Sequence, residues 1–116
     1  MKGMYKLVFF VPSEGKEKLK NALFDAGAGA LGNYSRCCWE CEGRGQFLPG
    51  RGSQPVIGLE NELEILNEFR VEMLVPEELV SICIDTLRAN HPYEEPAFEF
   101  TKVFISESEL EGQEWL

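Results

Sequence analysis

His91, Glu94 and Glu95 stand together in the run Asn90-His91-Pro92-Tyr93-Glu94-Glu95-Pro96, which contains the chain's one histidine. Imidazole and carboxylate are ordinary ligands of zinc, copper or manganese, so this run offers a divalent-metal or small-ligand site. Pro92 and Pro96 hold φ at about −65° and push the residues before them toward extended geometry, which places the three side chains on a stiffened connector. Three ligands are few for one ion, and symmetry-related copies or a neighbouring chain would have to supply the rest. A structural role is the other reading: His91 caps the preceding helix through its ring, while Tyr93 and the prolines shape an interface.

Two further groupings carry potential chemistry. Cys38-Trp39-Glu40-Cys41 is a Cys-x-x-Cys next to Cys37, a pattern used for soft metals and thiol exchange. In an extended segment, however, Cys38 and Cys41 point to opposite faces, and Cys37 and Cys41 share a face about 13 Å apart. The reading is therefore small core or interface residues, with Cys83 in the core of a helix. The glycine-rich stretch from Gly43 to Gly58 contains Arg44 and Arg51, which are candidates for anion contacts. No Gly-x-Gly-x-x-Gly opens a helix there, and the stretch reads first as a connector. Glu77-Glu78 and Glu94-Glu95 are adjacent pairs that diverge in an extended chain, so neither forms a general acid/base pair.

Composition narrows the classes. A formal charge of −9, from 20 acidic and 11 basic residues, repels a phosphate backbone and an anionic membrane, so no nucleic-acid or membrane partner is expected. Lys16, Lys18 and Lys20 alternate with Glu14 and Glu17, the pattern of a solvated helix face. No apolar run reaches the length of a membrane span, and the expected location is cytoplasmic. Three of the four cysteines crowd together, a poor plan for a disulfide framework, and reduced thiols are expected.

The elements that must position these groups follow from patterning. Tyr5–Val11 is apolar at nearly every position and reads as a central strand. Pro12-Ser13-Glu14 supplies a break, an N-cap hydroxyl and a first-turn acid for a helix from about 13 to 26, which Gly27 ends. Residues 32–42 read as a second strand, Gly43-Arg44-Gly45 as a turn, and 46–49 as a short return strand. Residues 50–61 form an exposed connector. Residues 68–75 alternate as a strand with one polar face; Pro76-Glu77-Glu78 then opens a second helix with Leu79, Val80, Cys83, Ile84 and Leu87 as its apolar stripe. Asn90 and Pro92 end that helix, and 98–105 is the last strand. The expected domain is 1–106, with an acidic tail at 107–116 whose Trp115 and Leu116 suit surface docking.

This order predicts an α+β, ferredoxin-like split β-α-β sandwich: a four-stranded antiparallel sheet with two helices on one face. The bare face then retains apolar side chains, and a homo-oligomer is expected to cover them.

Several separated motifs resemble a known family: Tyr5 to Pro12, Ala26-Gly27-Ala28-Gly29, Gly32-Asn33-Tyr34, Gly43 to Pro49, Glu68 to Glu72 and His91-Pro92-Tyr93-Glu94-Glu95-Pro96-Ala97. They are similar, in order and across residues 4 to 105, to the PII-like domain of Nif-three-like proteins, and the histidine segment is also similar to one in the trimeric CutA proteins. The resemblance implies a PII/CutA-like trimer. In the larger Nif-three-like proteins the two metals and the hydrolase chemistry belong to flanking halves with several histidines, so hydrolase activity is not carried over.

The expected function is that of a non-enzymatic, oligomeric binding or regulatory protein whose clefts between subunits take a metal ion or small ligand. His91, Tyr93, Glu94 and Glu95 are the cleft candidates, with Arg44 and Arg51 for anions. The alternative is a metal-dependent hydrolase of a small phosphoester or nucleotide, with metal held by His91 and a carboxylate.

Overall fold

The computed structural model describes residues 2–106; the acidic segment 107–116, with Trp115 and Leu116, lies outside the described residues. The order is β1 (Lys2–Val11), α1 (Ser13–Asp25), β2 (Trp39–Phe47), β3 (Glu64–Val75), a 3-10 turn (Glu77–Leu79) running into α2 (Val80–Asn90), and β4 (Phe98–Ile105). The four strands form one antiparallel sheet in the order β2-β3-β1-β4. This is the α+β ferredoxin-like arrangement that the patterning predicts.

The alternation of β1 decides the two faces. Leu7, Phe9 and Val11 point to one side, where Val71, Met73 and Val75 of β3 stand beside them. Leu19 and Leu23 of α1 and Cys83 and Leu87 of α2 close over this row, and all of these side chains except Met73 are fully buried. Burying a side chain of this size contributes about 1.5–3 kcal/mol relative to leaving it exposed, so this layer dominates the fold's stability. The opposite residues of β1 form the face without helices: Lys6 stands beside Leu74, Val8 beside Glu72, and Phe10 beside Arg70. Met4 and Val8 are nearly inaccessible there, while Trp39 at the end of β2 is 58% exposed. Lys6 and Arg70 flank Glu72 at 3.4 and 3.1 Å. The bare face is thus a mixture of apolar groups and ion pairs rather than uniformly apolar.

Five local expectations are corrected, one of them the return strand at 46–49, since Gln46 and Phe47 complete β2 instead. Gly43-Arg44-Gly45 is not a turn but the middle of β2, paired in unbroken register with Glu68, Asn67 and Leu66. Residues 32–38 are not strand; Leu31 and Tyr34 make only an isolated bridge around the Gly32-Asn33 turn, and β3 starts at Glu64 rather than 68. Ser13 does not cap α1 through its side chain. Instead Gly15 adopts φ +92°, and Pro92 packs 3.4 Å from where its Cβ would be. Only glycine takes this left-handed turn without strain, and the turn lets the start of α1 close on the histidine connector.

α2 behaves as its sequence implies. Pro76 precedes it, Glu77 and Glu78 lie at its positive end, and Asn90 closes its last turn with an Nδ2 hydrogen bond to the Thr86 carbonyl at 2.8 Å. Among the described residues no helix is long and apolar enough to cross a membrane.

Candidate functional site

The connector from His91 to Pro96 crosses from the end of α2 to the start of β4, passing the end of β1. His91 is 8% exposed, the one buried polar residue of the described chain. Its Nε2 lies 2.7 Å from the Phe10 carbonyl, and its Nδ1 accepts the Tyr93 backbone N–H at 3.0 Å. A carbonyl can only accept and an amide N–H can only donate, so the ring is the neutral tautomer with its proton on Nε2. Burial lowers its pKa below the ordinary value, against the raising pull of the Phe10 carbonyl and the Glu68 charge.

Both ring nitrogens are therefore committed within the chain. The ring does not cap α2, since the backbone N–H of His91 does that by bonding to Leu87. It staples the connector to β1. Glu94 points elsewhere, accepting the Gln54 N–H at 3.2 Å with both carboxylate oxygens, and Glu95 is exposed. Among the described residues no three His, Cys, Asp or Glu side chains are grouped to hold a metal ion. His91 is not grouped with Glu94 and Glu95 within one chain, because its ring is turned in to Phe10 while the two acids are exposed and line a common hollow.

Tyr93 occupies the centre of what the connector builds. Its ring packs on His91 with centroids 4.8 Å apart and on Phe47 at 6.2 Å. Its hydroxyl donates to Glu68 Oε2 at 2.9 Å. Burial, together with the Glu68 carboxylate that accepts this bond, pushes the phenol well above its ordinary pKa. Glu68 reaches this position because β2 has glycine at 45: a Cβ there would stand 1.9 Å from Glu68 Oε1. With Gly43, Gly45 makes a bare trough in the uncovered face of the sheet, the use strands make of glycine where another group must approach closely.

Above this trough opens a cleft of about 770 Å³, walled by Phe10, Trp39, Phe47 and Tyr93, with Arg44 and Glu95 also lining it. Arg51 is not in it; it lines a second hollow with Glu94 and Glu95 beside the 50–53 loop. The anion candidates Arg44 and Arg51 thus sit in different concavities. Glu68, Arg70, Glu72 and Trp39 also line the cleft; the sequence reading gives them no site role, since it treats Glu68, Arg70 and Glu72 only as the polar face of a strand. The available signal was Gly-x-Gly inside a strand.

The cysteines divide. Cys83 is fully buried, and burial raises its thiol pKa. Cys38 and Cys41 are exposed and Cys37 is half-buried, and all four are unpaired. The core expectation is corrected for Cys37, Cys38 and Cys41 within a single chain, since β2 is an edge strand and residues 37 and 38 precede it. On the helix side, Glu40 binds Lys16 and, at 2.7 Å, Lys20. These bonds hold the Glu40 carboxyl below its ordinary pKa.

No family model matches the chain. Among curated proteins it is 45% identical over 94 residues to the GTP cyclohydrolase 1 type 2 homolog of Mycobacterium bovis, covering 81% of this chain and 25% of that protein. The homolog from Bacillus subtilis is 41% identical over 98 residues, covering 84% and 26%. The chain spans about a quarter of the length of these relatives. Among solved structures, a Bacillus cereus protein related to NIF3 superposes with a TM-score of 0.76 at 38% identity, over 88% of this chain and 26% of that one. CutA1 from Pyrococcus horikoshii gives 0.68 at 20% identity, over 92% and 91%. The Bacillus subtilis GlnK–ATP complex gives 0.59 at 14%, over 87% and 82%. The last two likenesses concern the fold alone.

Proposed function

We propose, from the premise that this chain belongs to the NIF3-like family as its PII/CutA-like domain, that it is a binding or regulatory module: copies assemble through the uncovered sheet face, and a small ligand enters the cleft beside Tyr93. One observation carries this reading. The face without helices holds a cleft of about 770 Å³ with aromatic walls, and Trp39 on its rim is 58% exposed. Exposed aromatic groups around a concavity mark binding surfaces.

Trp39 and Glu72 also line a neighbouring hollow with Leu74, Val103 and Ile105. We assign that more apolar end to contact between copies, three being the implied number, and the trough over Gly43 and Gly45 to the ligand. His91 is then a positioning residue. To bind zinc, copper or manganese it would have to surrender the Phe10 or the Tyr93 hydrogen bond, so an organic ligand fits this geometry better than a metal. The unpaired thiols suit a reducing compartment, and the cytoplasm is the proposed location.

The names of the curated relatives state a GTP cyclohydrolase homology, but the activity of those longer proteins reaches this chain only as a proposal. A hydrolase reading would require metal ligands beyond the described residues or from another chain, since His91 is already satisfied on both nitrogens.

Sedimentation equilibrium at micromolar concentration tests the assembly. The protein should run heavier than one 13.2 kDa chain, and Trp39→Asp should lighten it. A mass equal to one chain for the unaltered protein would overturn the reading.

A further inference from the structure

The ligand class can be narrowed from the charges that face the cleft, on the reading that this cleft binds a ligand. On the face that carries the trough, β3 presents Glu68, Arg70 and Glu72, whereas Glu42 and Arg44 pair with Phe69 and Asn67 and alternate to the helix side of β2. That leaves two carboxylates of β3 against one guanidinium. Arg70 is already spent on Glu72 at 3.1 Å, and Lys6 reaches the same carboxylate at 3.4 Å. Glu72 is therefore compensated twice, and the acid that remains on the floor is Glu68.

Glu68 is a placed acceptor rather than a floating one. The Tyr93 hydroxyl holds its Oε2, and its Oε1 lies over the bare backbone of Gly45. Aromatic rings stand around it, with Phe47 and Tyr93 tilted 53° to each other. A carboxylate fixed among aromatic faces matches a flat group that carries both positive charge and a row of N–H donors: the charge meets the ring faces and the donors meet the carboxylate. A phosphate or carboxylate placed on the same floor would meet Glu68 head-on.

We infer that the trough over Gly43 and Gly45 binds small aromatic amidinium compounds or 2-amino-heterocycles, with Glu68 as the bidentate acceptor, and excludes anions from its floor. Arg44 stands among the lining groups on the edge strand, and Glu68 discriminates.

The test titrates ¹⁵N-labelled full-length protein with benzamidine, benzoate and ATP while following the Gly43 and Gly45 amides. Benzamidine should shift both saturably, and Glu68→Gln should weaken it by at least about tenfold, the loss expected for one charge-assisted hydrogen bond. The amide spectrum of each variant reports folding. If Glu68→Gln does not fold, Gly45→Ala, which displaces the same carboxylate, provides the readout. Benzamidine binding unaffected by these substitutions overturns the inference. Benzoate or ATP shifting these amides while benzamidine does not overturns it too, but leaves the ligand cleft standing. Silence from all three overturns both.

Discussion

The hydroxyl of Tyr93 donates a 2.9 Å hydrogen bond to Glu68, joining the connector after α2 to the uncovered face of β3. That bond exists because Gly45, on the neighbouring strand, leaves room for the carboxylate. Tyr93→Phe keeps the ring packing and removes the donor, and should cost about 1 kcal/mol in urea unfolding. Gly45→Ala should cost a similar amount without touching Tyr93. Because both act on one contact, the double variant should lose less than the two single losses added. Strict additivity would show that glycine and tyrosine are not linked through Glu68.

His91→Ala removes a ring that satisfies the Phe10 carbonyl and the Tyr93 amide in a nearly inaccessible position. An orphaned buried acceptor and the space left behind together predict a loss of about 2–4 kcal/mol. The variant should also broaden or shift amide signals from residues 92–96, which would lose their anchor to β1. A chain as stable as the unaltered protein would refute the staple.

Acid should weaken the fold through the same residue. The folded pKa of His91 lies below the ordinary 6.5, so below about pH 6.5 the unfolded chain binds a proton that the folded chain refuses. The stability held by the neutral ring is complete above that pH and declines as pH falls toward the folded value. Glu40, also depressed, loses its contribution only on descending through the carboxylate range, in a lower window. The urea midpoint should fall between neutral pH and about pH 5, and His91→Gln should flatten that slope. An equal slope in both proteins would place the titration elsewhere.

Thiol accessibility should follow the two environments. Iodoacetamide should alkylate Cys41 in the native protein and reach Cys83 only after unfolding, since Cys83 is fully buried with a raised pKa while Cys41 is exposed. Peptide mass mapping reads this directly. Native labelling of Cys83 would contradict the core packing of α2.

Much of the architecture was open to reading from the chain, for a local reason. The apolar run of β1, the stripe of α2 and the alternation of 69–75 each express a period set by backbone geometry, and that period shows which side chains share a face. The likeness of the histidine segment to PII-like and CutA sequences pointed the same way. Gly43-Arg44-Gly45 misled because glycine suits both a turn and a trough in a strand, and only the pairing partner across the sheet distinguishes the two uses.

Sequence alone thus determined the element order, the helix-covered core and the stiffness of the His91–Pro96 connector, since these depend on neighbours within a few residues. Tertiary structure decided that both nitrogens of His91 are consumed by Phe10 and Tyr93, that Glu94 and Glu95 diverge from it, and that Glu68 lies under Tyr93. The contacts with Phe10 and Glu68 join positions 81 and 25 residues apart. Hydrogen bonds to backbone groups leave no periodic trace, and a long-range pair becomes visible only when the sheet brings its strands into register.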